Sequence, residues 1–168
     1  AFKTIREDEP LPLSALMILI YAPPGTGKTS LAFTAKKPLL FDYDTGLRRA
    51  VKRKTAVQFE TWPDCVNYVD SEEFAEMDPD TLIFDTADTM LNDFIAQEVA
   101  KEKGNKKQSG ALTQAGYGAM KIVFDTFFNR FKGKKHIIFI CHEAEDKRDD
   151  KAVVRPKVTG GAYQILIQ

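Results

Sequence analysis

Two glycines, a lysine and two threonines stand together at Gly25-Thr26-Gly27-Lys28-Thr29, directly after Pro23-Pro24. This combination suits an anion. Glycines let a backbone curl until successive N–H groups face one point. A lysine beside them neutralises charge, and a hydroxyl is a hard-oxygen ligand for a divalent cation. The stretch from Ala22 to Thr29 fits the phosphate-binding loop, except that Ala22 stands at the first glycine position. Alanine is the smallest departure from glycine there. We therefore expect Pro24, Gly25, Thr26, Gly27, Lys28, Thr29 and Ser30 to hold the phosphates of ATP. Lys28 would meet the β- and γ-phosphates, and the Thr29 hydroxyl would hold Mg2+.

Breaking a bound triphosphate needs further groups. Asp85 closes the apolar run Leu82-Ile83-Phe84. A carboxylate at the tip of a buried strand suits the second contact to Mg2+, through water. The other reading is a helix N-cap, because Asp85-Thr86 precedes a helical pattern. The attacking water must also be oriented or deprotonated. Thr86 follows Asp85, so the Asp-Glu pair of many ring ATPases is absent. Asp42, Asp44 and Asp88 are the nearest carboxylates. Asp44 is our choice for the base, against a solvated turn aspartate before Gly46. His142 follows Ile137-Ile138-Phe139-Ile140-Cys141. At a strand tip it could touch the γ-phosphate and pass its state to the loop beyond. The other reading is a histidine capping Glu143 or Glu145.

These groups converge only if several strands end on one edge. Leu13 to Tyr21, Pro38 to Phe41, Thr81 to Phe84 and His136 to Cys141 are short apolar runs that read as buried strands. Ala56 to Phe59 alternates weakly and reads as one more. Helical spacing appears from Lys28 to Lys36, in an acidic segment around Pro63 with Cys65, Val66 and Val69 inward, and at Leu91, Phe94, Ile95 and Val99. Met120, Val123, Phe124, Phe127, Phe128 and Phe131 form the clearest amphipathic pattern. Gly104 to Gly110 reads as a loop, and Glu143 to Lys157 as a charged, mobile segment. Strands alternating with helices predict an α/β fold: a mostly parallel sheet with helices on both faces. In such sheets ligands bind at the strand C-termini.

The chain has 168 residues, 43% hydrophobic and 29% charged, which is the composition of one globular domain. It excludes a collagen, a long disordered tail and a disulfide miniprotein. Lys plus Arg equals Asp plus Glu at 24 each, which argues against a histone-like polycation. The charges are segregated. Residues 55–100 contain no Lys or Arg and twelve acids, whereas residues 101–168 carry a net +7. A neutral total therefore leaves room for a local anion-binding surface. No apolar stretch is long enough to span a membrane, and the charged start lacks an apolar signal region. Cys65 and Cys141 sit in apolar surroundings and read as buried, reduced thiols. The sequence stops within the apolar run Ile165-Leu166-Ile167-Gln168, so we expect the single domain, with its extension 1–12, to be truncated at its C-terminus.

With these pieces in order, the chain resembles the RecA-core P-loop ATPases, and most of all the short phage-encoded branch implicated in single-strand annealing and recombination. The resemblance rests on Tyr21 to Thr29, on Phe41-Asp42-Tyr43-Asp44-Thr45-Gly46 with Arg48-Arg49-Ala50, and on Val57 to Trp62 with Asp64. It continues through Leu82 to Thr86, Ile140-Cys141-His142-Glu143, and Arg155-Pro156 with Thr159-Gly160-Gly161. It implies a RecA-like core that hydrolyses ATP with Mg2+, stimulated by DNA. Asp44 falls where that family carries its catalytic glutamate, one methylene longer, and His142 where RecA has a glutamine that senses the γ-phosphate.

The resemblance also places a first DNA-binding loop near Gly104–Gln114 and a second at Glu143–Gly161. Single-stranded DNA would then meet Lys106 and Lys107 in the first, and Lys147, Arg148, Lys151, Arg155, Lys157, Gly160 and Gly161 in the second. Phosphate contacts by such cations make affinity salt-dependent. Tyr117 and Tyr163 are the stacking candidates. Self-association into a ring or filament, a single-strand-binding protein as partner, and the host-cell cytoplasm as location follow from the same resemblance. Arg48, Arg49, Lys52, Arg53 and Lys54 form a second basic cluster, a subunit contact or a solvated face. Two other functions remain open on the same loop. One is a small-molecule or nucleotide kinase, with Arg148 and Arg155 as lid arginines. The other is a non-hydrolysing nucleotide switch for assembly.

Overall fold

The structure is a computed structural model that describes residues 15–148 and 151–158. Among the described residues, six strands form one sheet: β1 (Met17–Ala22), β2 (Pro38–Asp42), β3 (Ala56–Gln58), β4 (Thr81–Asp85), β5 (His136–Arg148) and β6 (Lys151–Pro156). The spatial order is β1-β5-β4-β2-β3, parallel throughout, and β6 pairs antiparallel with the far end of β5. The expected mostly parallel sheet with helices on both faces is what the chain builds. The sheet is the α/β core of a P-loop nucleotide-binding fold, with one strand, β5, inserted between the strand that feeds the glycine loop and the strand that ends at Asp85.

The two faces are covered unequally. On one face α1 (Lys28–Ala32) packs Ala32 and Phe33 against Leu40, Ile83, Ile138 and Ile140. On the other lie α2 (Trp62–Val69), α3 (Glu72–Met77), the helical run formed by α4 (Ala87–Thr89), a π-helical turn (Met90–Ile95) and α5 (Ala96–Val99), and α6 (Gln114–Phe128). Their core is aromatic: Phe84 stacks on Phe41 with ring centroids 4.7 Å apart and meets Phe128 edge-on at 4.8 Å. The α6 spacing anticipated this face, and Met120, Phe124, Phe127, Phe128 and Phe131 are all buried.

Local chemistry sets the element ends. Thr61 caps α2 in a reciprocal capping box with Asp64, and Pro63 occupies the first turn, where its missing N–H costs nothing. Asp70 and Ser71 then break the acidic segment, and Ser71 caps a separate helix, α3. The helix expected from Lys28 to Lys36 is shorter, ending at Ala32, where Thr34 Oγ1 turns back to bond the Leu31 carbonyl. The run 87–99 keeps Leu91, Ile95 and Val99 buried, with a π-helical turn inside it. Among the described residues, no helix is long and apolar enough to cross a membrane.

The charged segment expected to be mobile is instead a β-hairpin. β5 continues past His142 to Arg148, and β6 returns in register from Arg148↔Lys151 to Glu143↔Pro156. Backbone pairing, which does not depend on hydrophobicity, explains why a composition rule misread it. Cys65 and Cys141 are free and buried. Burial pushes both thiols up to about 12, so neither is poised to react.

Candidate functional site

Strand register brings the expected groups to one edge. Ala22 pairs with His142, Asp42 with Asp85 and with Gln58, and Asp85 with Ile140. Ala22, Asp42, Gln58 and Asp85 are the last residues of their strands, and Ile140 and His142 lie level with them on β5, which runs on to Arg148. Ala22 is the last residue of β1, in extended backbone, so the first glycine position here carries no torsional demand that alanine fails. The demand falls on Gly25 and Gly27, with φ of 80° and 87°, a region costly for any side chain. A Cβ on either would meet no other atom within 4 Å, so torsion, not crowding, selects glycine.

Lys28, at the start of α1, folds its ammonium over the loop, donating to the carbonyls of Ala22 at 2.8 Å and Pro23 at 2.9 Å. Thr29 Oγ1 donates to Asp85 Oδ2 at 2.5 Å. Asp85 is 4% exposed, and burial raises its carboxyl from 3.8 to about 6; the Thr29 hydrogen bond opposes this, and Asp44 and Asp42 nearby add to it. The N-cap of the following helix is Thr86, whose hydroxyl accepts from Thr89 N–H, so Asp85 is not the cap. The Asp85–Thr86 peptide is cis.

A hydroxyl and one carboxylate are a donor set that fits Mg2+. That ion retains waters and takes substrate oxygens, so it needs no cage of protein ligands. No cluster of three or more His, Cys, Asp or Glu able to hold a metal occurs among the described residues. Thr29 and Asp85 would hold the ion, which when bound neutralises charge building on the transferred phosphoryl group.

Asp44 and His142 line the same cleft as Gly25, Gly27, Lys28, Thr29 and Asp85. Asp44 lies just past β2, with Oδ1 accepting from Gly46 N–H at 2.8 Å, an Asx turn that fixes the carboxylate. Asp42, the other carboxylate of this turn, is buried at 2% exposure and committed elsewhere: it accepts from Gly46 N–H at 3.1 Å and from Gln58 Nε2 at 2.7 Å. It is a brace. Gln58 was not singled out in the sequence. Its only signal is its place as the last residue of β3, which becomes informative once the β2–β3 register is known. Ala50 and Val51 form an apolar wall of the cleft, and Val51 N–H bonds Ser30 Oγ at 3.0 Å, tying the basic 48–54 segment to α1.

None of the described residues expected to meet DNA lines the phosphate cleft. Lys106 and Lys107 are exposed on a folded turn, in which Lys107 N–H bonds Ala111 and Thr113 N–H bonds Asn105. Lys147 and Arg148 lie on β5 and Lys151 on β6. Arg155 Nε lies 3.3 Å from Asp146 within the hairpin, and Lys157 is exposed. Gly160, Gly161 and Tyr163 lie outside the described residues, as does the 1–12 extension.

The family model of the AAA domain matches residues 14–168. The chain belongs to that family and is an AAA-type P-loop ATPase domain. Among curated proteins, none matches it.

Proposed function

We propose that this ATPase domain is a RecA-type, DNA-dependent ATPase that binds single-stranded DNA in phage recombination or strand annealing. ATP sits on Pro24 to Ser30, with its base toward Ala50 and Val51. Thr29 and Asp85 hold Mg2+, Asp44 orients the attacking water, and Lys28 follows the γ-phosphate charge. His142 touches the γ-phosphate end.

One observation carries the DNA part of this reading. β5 is a single strand that runs from the core, through His142 at the cleft, into the hairpin bearing Lys147 and Arg148. The return strand is tied back at the same residue, because Lys157 N–H donates to the His142 carbonyl at 2.7 Å. A shift of His142 on meeting a γ-phosphate therefore moves the hairpin with it. Self-association completes the reading. Val51 and Leu31 are 66% and 60% exposed beside the basic residues Arg48, Lys52 and Lys54, whereas the acids Glu72, Glu73 and Glu76 lie exposed on α3, across the sheet. The basic 48–54 patch on one face and acidic α3 on the other are complementary surfaces that suit head-to-tail stacking of copies into a ring or filament.

Fluorescence anisotropy with labelled single-stranded DNA tests the switch. Binding should tighten with ATP, weaken steeply as salt rises, and lose its ATP dependence in His142→Ala. Binding indifferent to both nucleotide and salt would sink the reading. Turnover of a phosphoryl acceptor without DNA would replace it with a kinase.

A further inference from the structure

We propose that Asp88 is a positioning residue for His142: its carboxylate takes the Nδ1 side of the imidazole and so presents Nε2 to the nucleotide cleft. The inference rests on the reading of His142 as the group at the γ-phosphate.

The geometry starts from β4. That strand ends at Asp85, Thr86 turns the chain, and Asp88 falls in the first turn of α4. Because β4 and β5 are neighbours with Asp85 opposite Ile140, this turn lies beside the next residues of β5. Asp88 Oδ2 is 3.6 Å from His142 Nδ1, and both side chains are mostly buried, at 15% and 26% exposure.

Two ordinary explanations for this carboxylate do not account for it. The helix already has its cap, because the Thr86 hydroxyl accepts from Thr89 N–H and bonds the Thr89 hydroxyl at 2.9 Å. Nor is the carboxylate a satisfied member of a polar network, since its Oδ1 is buried without a hydrogen-bond partner. A buried acceptor left short of partners is destabilising, and a position selected only for folding would be better filled by a neutral residue. What the carboxylate does face is a ring nitrogen of a cleft residue. A histidine uses its two nitrogens for different tasks, and the partner on one fixes which tautomer and which edge the other presents. The proposal requires the pair to close from 3.6 Å to hydrogen-bond length.

Imidazole NMR and nucleotide binding by the full chain test this together. In wild type without nucleotide, at a pH where the ring is neutral, 15N shifts should place the His142 proton on Nδ1. In Asp88→Ala the Nδ1 preference should be lost. A proton that stays on Nδ1 in this variant overturns the proposal. In binding, the preference for a non-hydrolysable ATP analogue over ADP, both with Mg2+, should fall about tenfold in His142→Ala, the scale of one hydrogen bond to a charged group. Asp88→Ala should lose most of the same preference, and the double variant should lose little more than either single one, because the two act as a unit. Independent, additive losses would make Asp88 a separate structural element and overturn the positioning role. Asp88→Asn keeps the shape and an oxygen acceptor, so it serves if the alanine variant fails to fold, and it should retain more of the preference. Wild-type preference in both Asp88 variants, alongside a loss in His142→Ala, overturns this proposal alone. Wild-type preference in His142→Ala overturns the underlying reading of His142, and this proposal with it.

Discussion

Asp85 shows how one buried residue ties stability to chemistry. Its carboxyl titrates at about 6 in the fold against 3.8 for the free group, chiefly because burial penalises the charge. Between those values the folded protein holds a proton that the unfolded chain has released, so stability falls as pH rises through that window. Above pH 6 the full penalty is present, with a ceiling of about 3 kcal/mol. Asp85→Asn should therefore raise the melting temperature of the nucleotide-free protein by several degrees at pH 8, and lose that advantage near pH 4. The same substitution should lower MgATP turnover by about a hundredfold or more. If Asp85 holds Mg2+ as proposed, wild-type turnover should decline as pH drops below about 6, because protonation removes the charge that would bind the ion. A variant less stable than wild type at pH 8 would show that the charge is already compensated. That Lys28, Thr29 and Asp85 meet in one cleft was legible in the sequence, because a glycine loop opening a helix and an aspartate ending an apolar strand are local patterns. The sequence could not supply Gln58, whose bond to Asp42 depends on a strand pairing sixteen residues away.

At the scale of elements, the turn after β2 decides where the proposed base points. Gly46 has no positive φ, so its torsions are open to any residue. What alanine would meet is Asp44: a Cβ on Gly46 would lie 2.6 Å from Asp44 Oδ1. The short carboxylate would have to swing away and give up its bond to Gly46 N–H. Gly46→Ala is thus a displacement of Asp44 without its removal. We expect turnover to fall about a hundredfold, the cost of a misplacement near 1 Å, with the melting temperature nearly unchanged. Steady-state ATPase rates beside a thermal melt decide it, and full turnover with an intact fold would take Asp44 out of the water-orienting role. Strands and α6 were legible because continuous apolar runs and a 3.6-residue spacing report burial directly. The hairpin was not, because Glu143-Ala144-Glu145-Asp146-Lys147-Arg148 carries no apolar alternation. Its order comes from six antiparallel backbone pairs, to which composition is blind. The break between α2 and α3 was missed for a similar reason, since Ser71 acts as a cap only once the chain has turned.

Across the whole molecule the sheet order was beyond the sequence, although the α/β class was not. Seating β5 between β1 and β4 pairs Met17 with Ile137, a contact between distant parts of the chain that no local pattern announces. The order also leaves the two sheet faces with different tasks. The α1 face carries the phosphate loop, and the opposite face carries the aromatic layer that holds the helices. Adjacent residues of β4 sample both: Ile83 faces the smaller aliphatic cluster and Phe84 the aromatic one, and both are fully buried. Phe84 touches the rings of Phe41, Phe127, Phe128 and Phe139, which come from the two flanking strands, β2 and β5, and from α6. Neighbours so constrained cannot collapse into the space a lost ring leaves. Phe84→Ala should therefore cost about 3–5 kcal/mol, against about 0.5–1.5 kcal/mol for Ile83→Val. Urea denaturation with a shared m-value measures both. Against a domain's total stability of about 5–15 kcal/mol, that loss brings a protein at the low end of the range to the edge of unfolding, and MgATP should offset part of it by mass action. A Phe84→Ala cost no larger than that of Ile83→Val would mean that the aliphatic face under the phosphate loop, not the aromatic one, holds the fold together.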